Sequence, residues 1–277
     1  MIKGSLRFNF HKWKDFKECP KRFYLKETKF PYPKEENKYN TLVGNTVQKF
    51  FELYTNEWQH ESIVWTRDEV VGRIEGYWKW LLAHNYINWR DFYVKFNRYQ
   101  LFDICVDIIM QNIQKMDIYG GTRSEIKIEV KFKSGDVLVG IIDFVKKKDD
   151  KIIIFDGKST DKIGKNIHIE QIYTYAILYN FKHKVMPDEL AFLYFRMQAW
   201  ETVPVDLEKI ELFKKDLIYT MYLIKQMTVF PATPTSKACI YCPYKSICEE
   251  HMADAKTRRR KSSIKDDTAG GIITLEF

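Results

Sequence analysis

The chain has 277 residues, 45% of them apolar and 16% aromatic, enough to bury the core of one large domain or of a domain with a helical elaboration. No stretch approaches the roughly 18 consecutive apolar residues of a membrane span, and the opening Met-Ile-Lys-Gly-Ser-Leu-Arg-Phe lacks the apolar run of a secretory signal. A soluble, intracellular, cytoplasmic protein without a membrane partner is therefore expected. The net charge of +8 suits a polyanionic partner, and five cysteines without a secretory signal favour reduced thiols or metal ligands over disulfides.

The first third reads as helical. Phe10, Trp13 and Phe16 recur at helical spacing, as do Val43, Val47, Phe50, Phe51 and Tyr54. Two further helices are expected over Arg67 to Leu82 and Asp91 to Met116. The period then changes to two. Ile126, Ile128, Val130 and Phe132 alternate with Glu125, Lys127, Glu129 and Lys131, which predicts a half-buried strand. Gly135-Asp136 marks a turn into a strand over Val137 to Val145, and Lys148-Asp149-Asp150 a turn into a strand over Lys151 to Lys158. The three form an expected antiparallel meander. A helix over about Asn166 to Asn180, strands near Glu189 to Arg196 and Thr202 to Val205, and a long helix over about Asp206 to Met227 follow. Beyond Met252 the chain is polar and basic (Lys256, Arg258, Arg259, Arg260, Lys261, Lys265), and a flexible tail is expected. Its apolar end, Gly271 to Phe277, is a candidate docking segment for a partner protein.

Two groups of residues carry chemistry. Cys239-x2-Cys242-x5-Cys248 places three soft ligands within ten residues, and Cys19, in Glu-Cys-Pro-Lys-Arg, is the natural fourth. A centre built this way ties the two ends of the chain together. The spacing does not separate an iron–sulfur cluster from Zn²⁺, since both accept four thiolates. Cys105, among Phe102, Ile104, Val106 and Ile109, reads as a buried small apolar residue.

The second group lies on the meander. One strand carries Gly140-Ile-Ile-Asp143, the next Asp156-Gly157-Lys158. Residues two apart on a strand share a face, so Asp156 and Lys158 point the same way, and Asp143 on the adjoining strand converges on them if the strands pair. Hard oxygen ligands suit Mg²⁺ or Mn²⁺. An Asp-Gly dipeptide is also a common turn former, so these residues alone leave a structural role open. Glu129 is either an added carboxylate or a solvated surface charge.

In order along the chain, Cys-Pro-x-Arg, the glycine-containing helix at Gly44, Gly-x-x-Asp, Asp-x-Lys, Gln171-x-x-x-Tyr175 and the three-cysteine cluster resemble the PD-(D/E)XK nucleases. Within them they resemble the RecB-like branch with an iron–sulfur cluster, which includes AddB nuclease domains and CRISPR-associated adaptation nucleases. The resemblance implies an α/β fold with a restriction-endonuclease-like core, a mixed central sheet flanked by helices. It adds an N-terminal helical region and a four-cysteine metal cluster joining the N- and C-terminal segments. It implies a single nuclease domain over 1–251, with a helical part (1–120), a catalytic core (121–205), and a long helix and cysteine cluster (206–251), followed by the flexible basic tail, 252–277.

The resemblance further implies that Asp143 and Asp156 are Mg²⁺ or Mn²⁺ ligands, that the Gly157 carbonyl completes the coordination, and that Lys158 orients the attacking water or stabilises the transition state. Gln171 and Tyr175 share a helix face, where they contact DNA or support the lysine. Cys19, Cys239, Cys242 and Cys248 hold a 4Fe-4S cluster, with Zn²⁺ as the alternative. The pattern departs from the branch at Gln48, which stands in Gly44-Asn-Thr-Val-Gln48 where a metal-binding histidine is expected; its amide oxygen is a neutral, weaker ligand. Lys21, Arg22 and Tyr24, with Trp13, Lys17 and Phe23 beside them, mix basic and aromatic side chains suited to phosphates and unpaired bases.

The expectation is a Mg²⁺- or Mn²⁺-dependent deoxyribonuclease in a bacterial, phage or archaeal setting. It would act as an exonuclease on single-stranded DNA or duplex ends in repair, recombination or phage DNA metabolism. The alternative is a DNA-binding or assembly module that keeps the fold with weak or no catalysis.

Overall fold

A computed structural model of the chain describes residues 4–28, 39–58, 65–84, 97–113, 122–160, 162–164, 167–233, 239 and 242–250. The expected basic tail, with its apolar end, lies outside them. By contact the chain divides into two compact units: Met1–Ile2, His11–Glu35 and Met227–Phe277 form one, Lys3–Phe10 and Glu36–Gln226 the other.

The larger unit is built on a six-stranded mixed sheet. Its strands are β1 (Arg7–Phe8), β2 (Thr122–Lys131), β3 (Val137–Lys148), β4 (Lys151–Lys158), β5 (Glu189–Tyr194) and β6 (Ala199–Val203). The expected meander is present: β2 pairs antiparallel with β3 from Thr122↔Lys146 to Lys131↔Val137, and β3 pairs antiparallel with β4 from Phe144↔Phe155 to Lys148↔Lys151. The β3–β4 turn puts both Asp149 (φ 49°) and Asp150 (φ 62°) in the left-handed region, as a two-residue hairpin loop requires to match strand twist. The two-residue β1 pairs parallel with the start of β3 and is too short to leave a periodic signal in the sequence.

β4 and β5 run parallel, in register from Ile153↔Glu189 to Lys158↔Tyr194. A parallel pair needs a crossover, and α6 (Ile169–His183) supplies it. β5 is the run Leu-Ala-Phe-Leu-Tyr, buried from Leu190 to Tyr194 as expected of a strand covered on both faces. α6 lies against β2, β3, β4 and β5, and α7 (Leu207–Gln226) packs on α6. Its seat on β3 is close: a Cβ at Gly140 would overlap Leu178 Cδ1.

A second helical layer comprises α3 (Tyr39–Leu53), α4 (Arg67–His84) and α5 (Arg98–Ile113). Val43, Val47, Phe50 and Phe51 of α3 join Val70, Ile74, Leu101, Cys105 and Ile109 in one cluster that also holds Phe144, Phe155, Leu193 and Phe195 of the sheet side. The apolar period read in the sequence is thus the face that buries. Cys105 is fully buried, its Sγ 3.2 Å from Leu101 O, and burial pushes its thiol up to about 12, as suits a small core residue. No helix among the described residues is long and apolar enough to cross a membrane.

The smaller unit contains α1 (Phe10–Glu18), apart from its first residue, and α2 (Pro20–Glu27). Pro20 opens α2, where its missing N–H costs nothing, and this sets Cys19 at the extended N-cap (φ −163°). Phe23 is buried, edge-on to Phe16, and Tyr24 stacks on Phe230 at 4.8 Å. The Lys21 N–H donates to Pro231 O at 3.1 Å, binding the two distant segments of this unit.

Candidate active site

Three elements of the larger unit bring the acidic and basic residues together. β3 carries Asp143, β4 carries Asp156, Gly157 and Lys158, and the first two turns of α6 carry Gln171 and Tyr175. Asp143 Oδ2 accepts the Gly157 N–H at 2.9 Å, which locks the carboxylate against the neighbouring strand. Its Oδ1 accepts the Tyr175 hydroxyl at 3.0 Å. Gln171 Nε2 donates to Tyr175 Oη at 3.1 Å, and Lys158 Nζ donates to Gln171 Oε1 at 3.2 Å. Lys158 Nζ also lies 2.5 Å from Asp156 Oδ2. The shared face expected for Asp156 and Lys158 is realised, and the i, i+4 spacing of Gln171 and Tyr175 joins them to it.

Asp156 is fully buried (0% exposed), and its carboxylate is ion-paired with the Lys158 ammonium and accepts no further hydrogen bond of standard geometry. Burial, and then the charge of Asp156, raises the pKa of Asp143; burial raises that of Asp156, against the pull of Lys158 and of the nearby Tyr175 hydroxyl. Burial, with the charges of Asp143 and Asp156, holds the Tyr175 phenol protonated well above its usual range, so it remains a donor. Two enclosed carboxylates beside one ammonium leave an uncompensated negative charge. Open oxygen lone pairs and a deficit of positive charge fit a hard divalent cation.

Glycine lets the backbone close around this point. A Cβ on Gly157 would stand 3.0 Å from Phe195 Cε2 and 3.3 Å from Phe144 Cε2. One on Gly44 would stand 2.6 Å from Ser159 Oγ, so the missing side chain lets α3 approach the end of β4. One turn further along α3, Gln48 Nε2 donates to Glu125 Oε1 at 2.8 Å.

Glu125 escaped sequence reasoning, which weighed Glu129 instead. Glu129 lies exposed and pairs with Arg7 at 2.7 Å and Lys127 at 2.7 Å; these contacts lower its carboxyl to about 2. It is the solvated surface charge of the two readings. Glu125 stands opposite Asp143, between the pairs Ser124↔Phe144 and Ile126↔Ile142, with φ 50° in the middle of a strand. Burial raises its pKa, and its charge contributes to raising that of Asp143.

A carboxylate pair with a neighbouring lysine on an antiparallel meander, flanked by helices, is the arrangement the sequence led us to expect, and the family model described as the PD-(D/E)XK nuclease superfamily matches residues 7–249. The chain belongs to the PD-(D/E)XK nuclease superfamily. Superfamily members are typically metal-dependent nucleases, and nuclease activity on DNA follows as the coarse function. No curated protein matches the chain. Among solved structures, the one titled "Crystal structure of SSO0001" is 17% identical, with a TM-score of 0.31, over 74% of this chain and 97% of that one.

The four cysteines other than Cys105 lie in the smaller unit. Cys19, Cys239, Cys242 and Cys248, none in a disulfide, line one pocket with Lys21, Arg22, Leu25 and Tyr244. The Cys242 N–H donates to Cys239 O at 3.2 Å. Burial raises the Cys242 thiol, with Cys19 and Cys239 adding to the rise and Arg22 opposing it. Among the described residues, no three His, Cys, Asp or Glu side chains stand in a ready-made metal cage, in either unit. Of the residues expected to touch DNA, Lys21 pairs with Glu250 at 2.6 Å, Arg22 with Asp15 at 2.9 Å and Glu18 at 2.6 Å, and Tyr24 stacks on Phe230.

Proposed function

We propose that this PD-(D/E)XK protein is a Mg²⁺- or Mn²⁺-dependent deoxyribonuclease whose chemistry rests on Asp143, Asp156 and Lys158. The observation that carries the reading is the fully buried Asp156 carboxylate, beside Asp143 and ion-paired with Lys158, accepting no further hydrogen bond of standard geometry. Asp143 and Asp156 would hold the cation, with the Gly157 carbonyl and the Gln48 amide oxygen as further neutral oxygens. When bound, such an ion supplies Lewis-acid polarisation of a phosphoryl oxygen and a more acidic water.

The chain's own groups do the rest. Lys158 places a positive charge where the phosphodiester gains negative charge. Gln171 fixes the ammonium by accepting its hydrogen bond, and Tyr175 fixes Asp143 by donating to it. Exonuclease action on single strands or duplex ends, in repair, recombination or phage DNA metabolism, is the reading we favour. Lys21, Arg22 and Tyr24 would contact DNA by exchanging their present partners for phosphates and bases.

We further propose that Cys19, Cys239, Cys242 and Cys248 bind a 4Fe-4S cluster, with Zn²⁺ as the alternative, in a structural role. Four thiols lining one pocket support this, since four thiolates are the donor set of either centre.

The second reading, a binding module with weak catalysis, draws on Gln48, a neutral amide where the RecB-like resemblance leads one to expect an imidazole. Labelled single- and double-stranded DNA with either end blocked, incubated with Mg²⁺ or Mn²⁺, separates the readings. End-dependent cleavage that disappears in Lys158→Ala supports the nuclease; retained binding without cleavage in the wild-type protein supports the module.

A further inference from the structure

The site is short of positive charge, yet the chain places another acid next to it. Glu125 occupies the β2 position opposite Asp143, and its charge is felt there. It holds φ 50° within a strand, a backbone conformation that a glutamate adopts only at a cost. Its carboxylate is held by Gln48 at 2.8 Å. The neighbouring Lys49 does not neutralise it in a pair, because Lys49 is bridged to Glu52 at 2.8 Å. Arg7 and Lys127 serve Glu129 instead. Without a cation, strain, partial burial and like charge all disfavour a glutamate here.

We infer that Glu125 is a third acidic residue of the cation site, held toward Asp143 by Gln48, and that it restores the ligand strength a neutral amide at position 48 lacks. The inference rests on the metal-site reading given above. Three carboxylates against the single ammonium of Lys158 leave two negative charges, the complement of one divalent ion. A further sign of a ligand is Asp156, fully buried and partnered only by its ion pair with Lys158. Glu125, Asp143 and Asp156 do not close into a ready-made cage among the described residues. Glu125 would add its negative charge to the site, directly or through the water that Mg²⁺ in particular retains. This gives Gln48 a defined role, in which its amide N–H aims the carboxylate as supporting hydrogen bonds commonly do at metal sites.

The test is Mn²⁺ binding to the whole protein, read as loss of the free-ion electron paramagnetic resonance signal during titration. Glu125→Gln, which keeps shape and a partner for Gln48, is expected to weaken Mn²⁺ binding about 10- to 100-fold. Glu129→Gln is expected to leave it unchanged. Should Glu125→Gln fold poorly, Glu125→Gly serves, since glycine adopts the left-handed backbone freely. Wild-type affinity in either Glu125 variant overturns the inference. Asp156→Asn separates the two levels. If it abolishes binding while the Glu125 variants bind normally, only the role of Glu125 falls. If it too binds Mn²⁺ normally, the metal site itself is misplaced.

Discussion

Lys158 and Asp143 stand at the two ends of one hydrogen-bond chain, running from the ammonium to Gln171 at 3.2 Å, from Gln171 to the Tyr175 hydroxyl at 3.1 Å, and from that hydroxyl to Asp143 at 3.0 Å. Every donor and acceptor in it has one consistent sense. The helix thereby fixes the lysine and a metal-ligand candidate relative to each other, although they lie on different strands. Tyr175→Phe removes the last donor without changing the packed ring. It is expected to lower Mn²⁺ affinity and the rate of DNA cleavage about 10- to 100-fold, with unchanged far-ultraviolet circular dichroism.

Gly140 determines how closely α6, and with it Gln171 and Tyr175, approaches β3. A Cβ there overlaps Leu178, which is itself fully buried. Gly140→Ala is expected to cost about 1–3 kcal/mol of stability, read as a lower urea midpoint with an unchanged slope.

Asp136 anchors the β2–β3 turn. Its carboxylate accepts from Ser134 Oγ at 2.5 Å and Leu6 N at 2.9 Å and pairs with Lys225 at 3.0 Å. Burial pushes its pKa up, but these three contacts outweigh it and the net shift is downward. A carboxyl depressed in the folded state stabilises fully above its unfolded pKa, about 3.9, and that stabilisation is lost as pH falls through the folded value. Asp136→Asn is expected to destabilise by about 1–3 kcal/mol at neutral pH, and the gap from wild type is expected to narrow below about pH 4. Denaturant midpoints measured across that range check it.

For the cysteine pocket, anaerobically purified protein is expected to contain iron and absorb in the visible region. Cys19→Ala is expected to lose the metal and to unfold at lower temperature. Colourless protein containing zinc excludes the iron–sulfur cluster, and Cys19→Ala with full metal content excludes Cys19 as a ligand.

Much of this was legible in the residues because it depends on local pattern. The alternation at Ile126, Ile128 and Val130 gave the strand, and Asp149-Asp150 gave the hairpin. The two-residue offset of Asp156 and Lys158 gave their common face. β1 was not legible, since two residues carry no period. Glu125 was not legible for a physical reason: by alternation it is equivalent to Glu129, and only its positive φ and a partner 77 residues away, Gln48, separate the two. The internal pairing of Lys21 was equally hidden, since Glu250 lies 229 residues away, whereas Arg22 pairs locally with Glu18 and Asp15.

In the proposed mechanism, Asp143 and Asp156 hold the cation on which DNA cleavage depends. The most direct measurement is the Mg²⁺-dependent cleavage rate of Asp156→Asn beside wild type, each first stripped with a chelator. Asn keeps the shape and removes the charge. Wild-type cleavage restored by Mg²⁺, with no restoration in Asp156→Asn, is the predicted result. Equal cleavage by both proteins would contradict it.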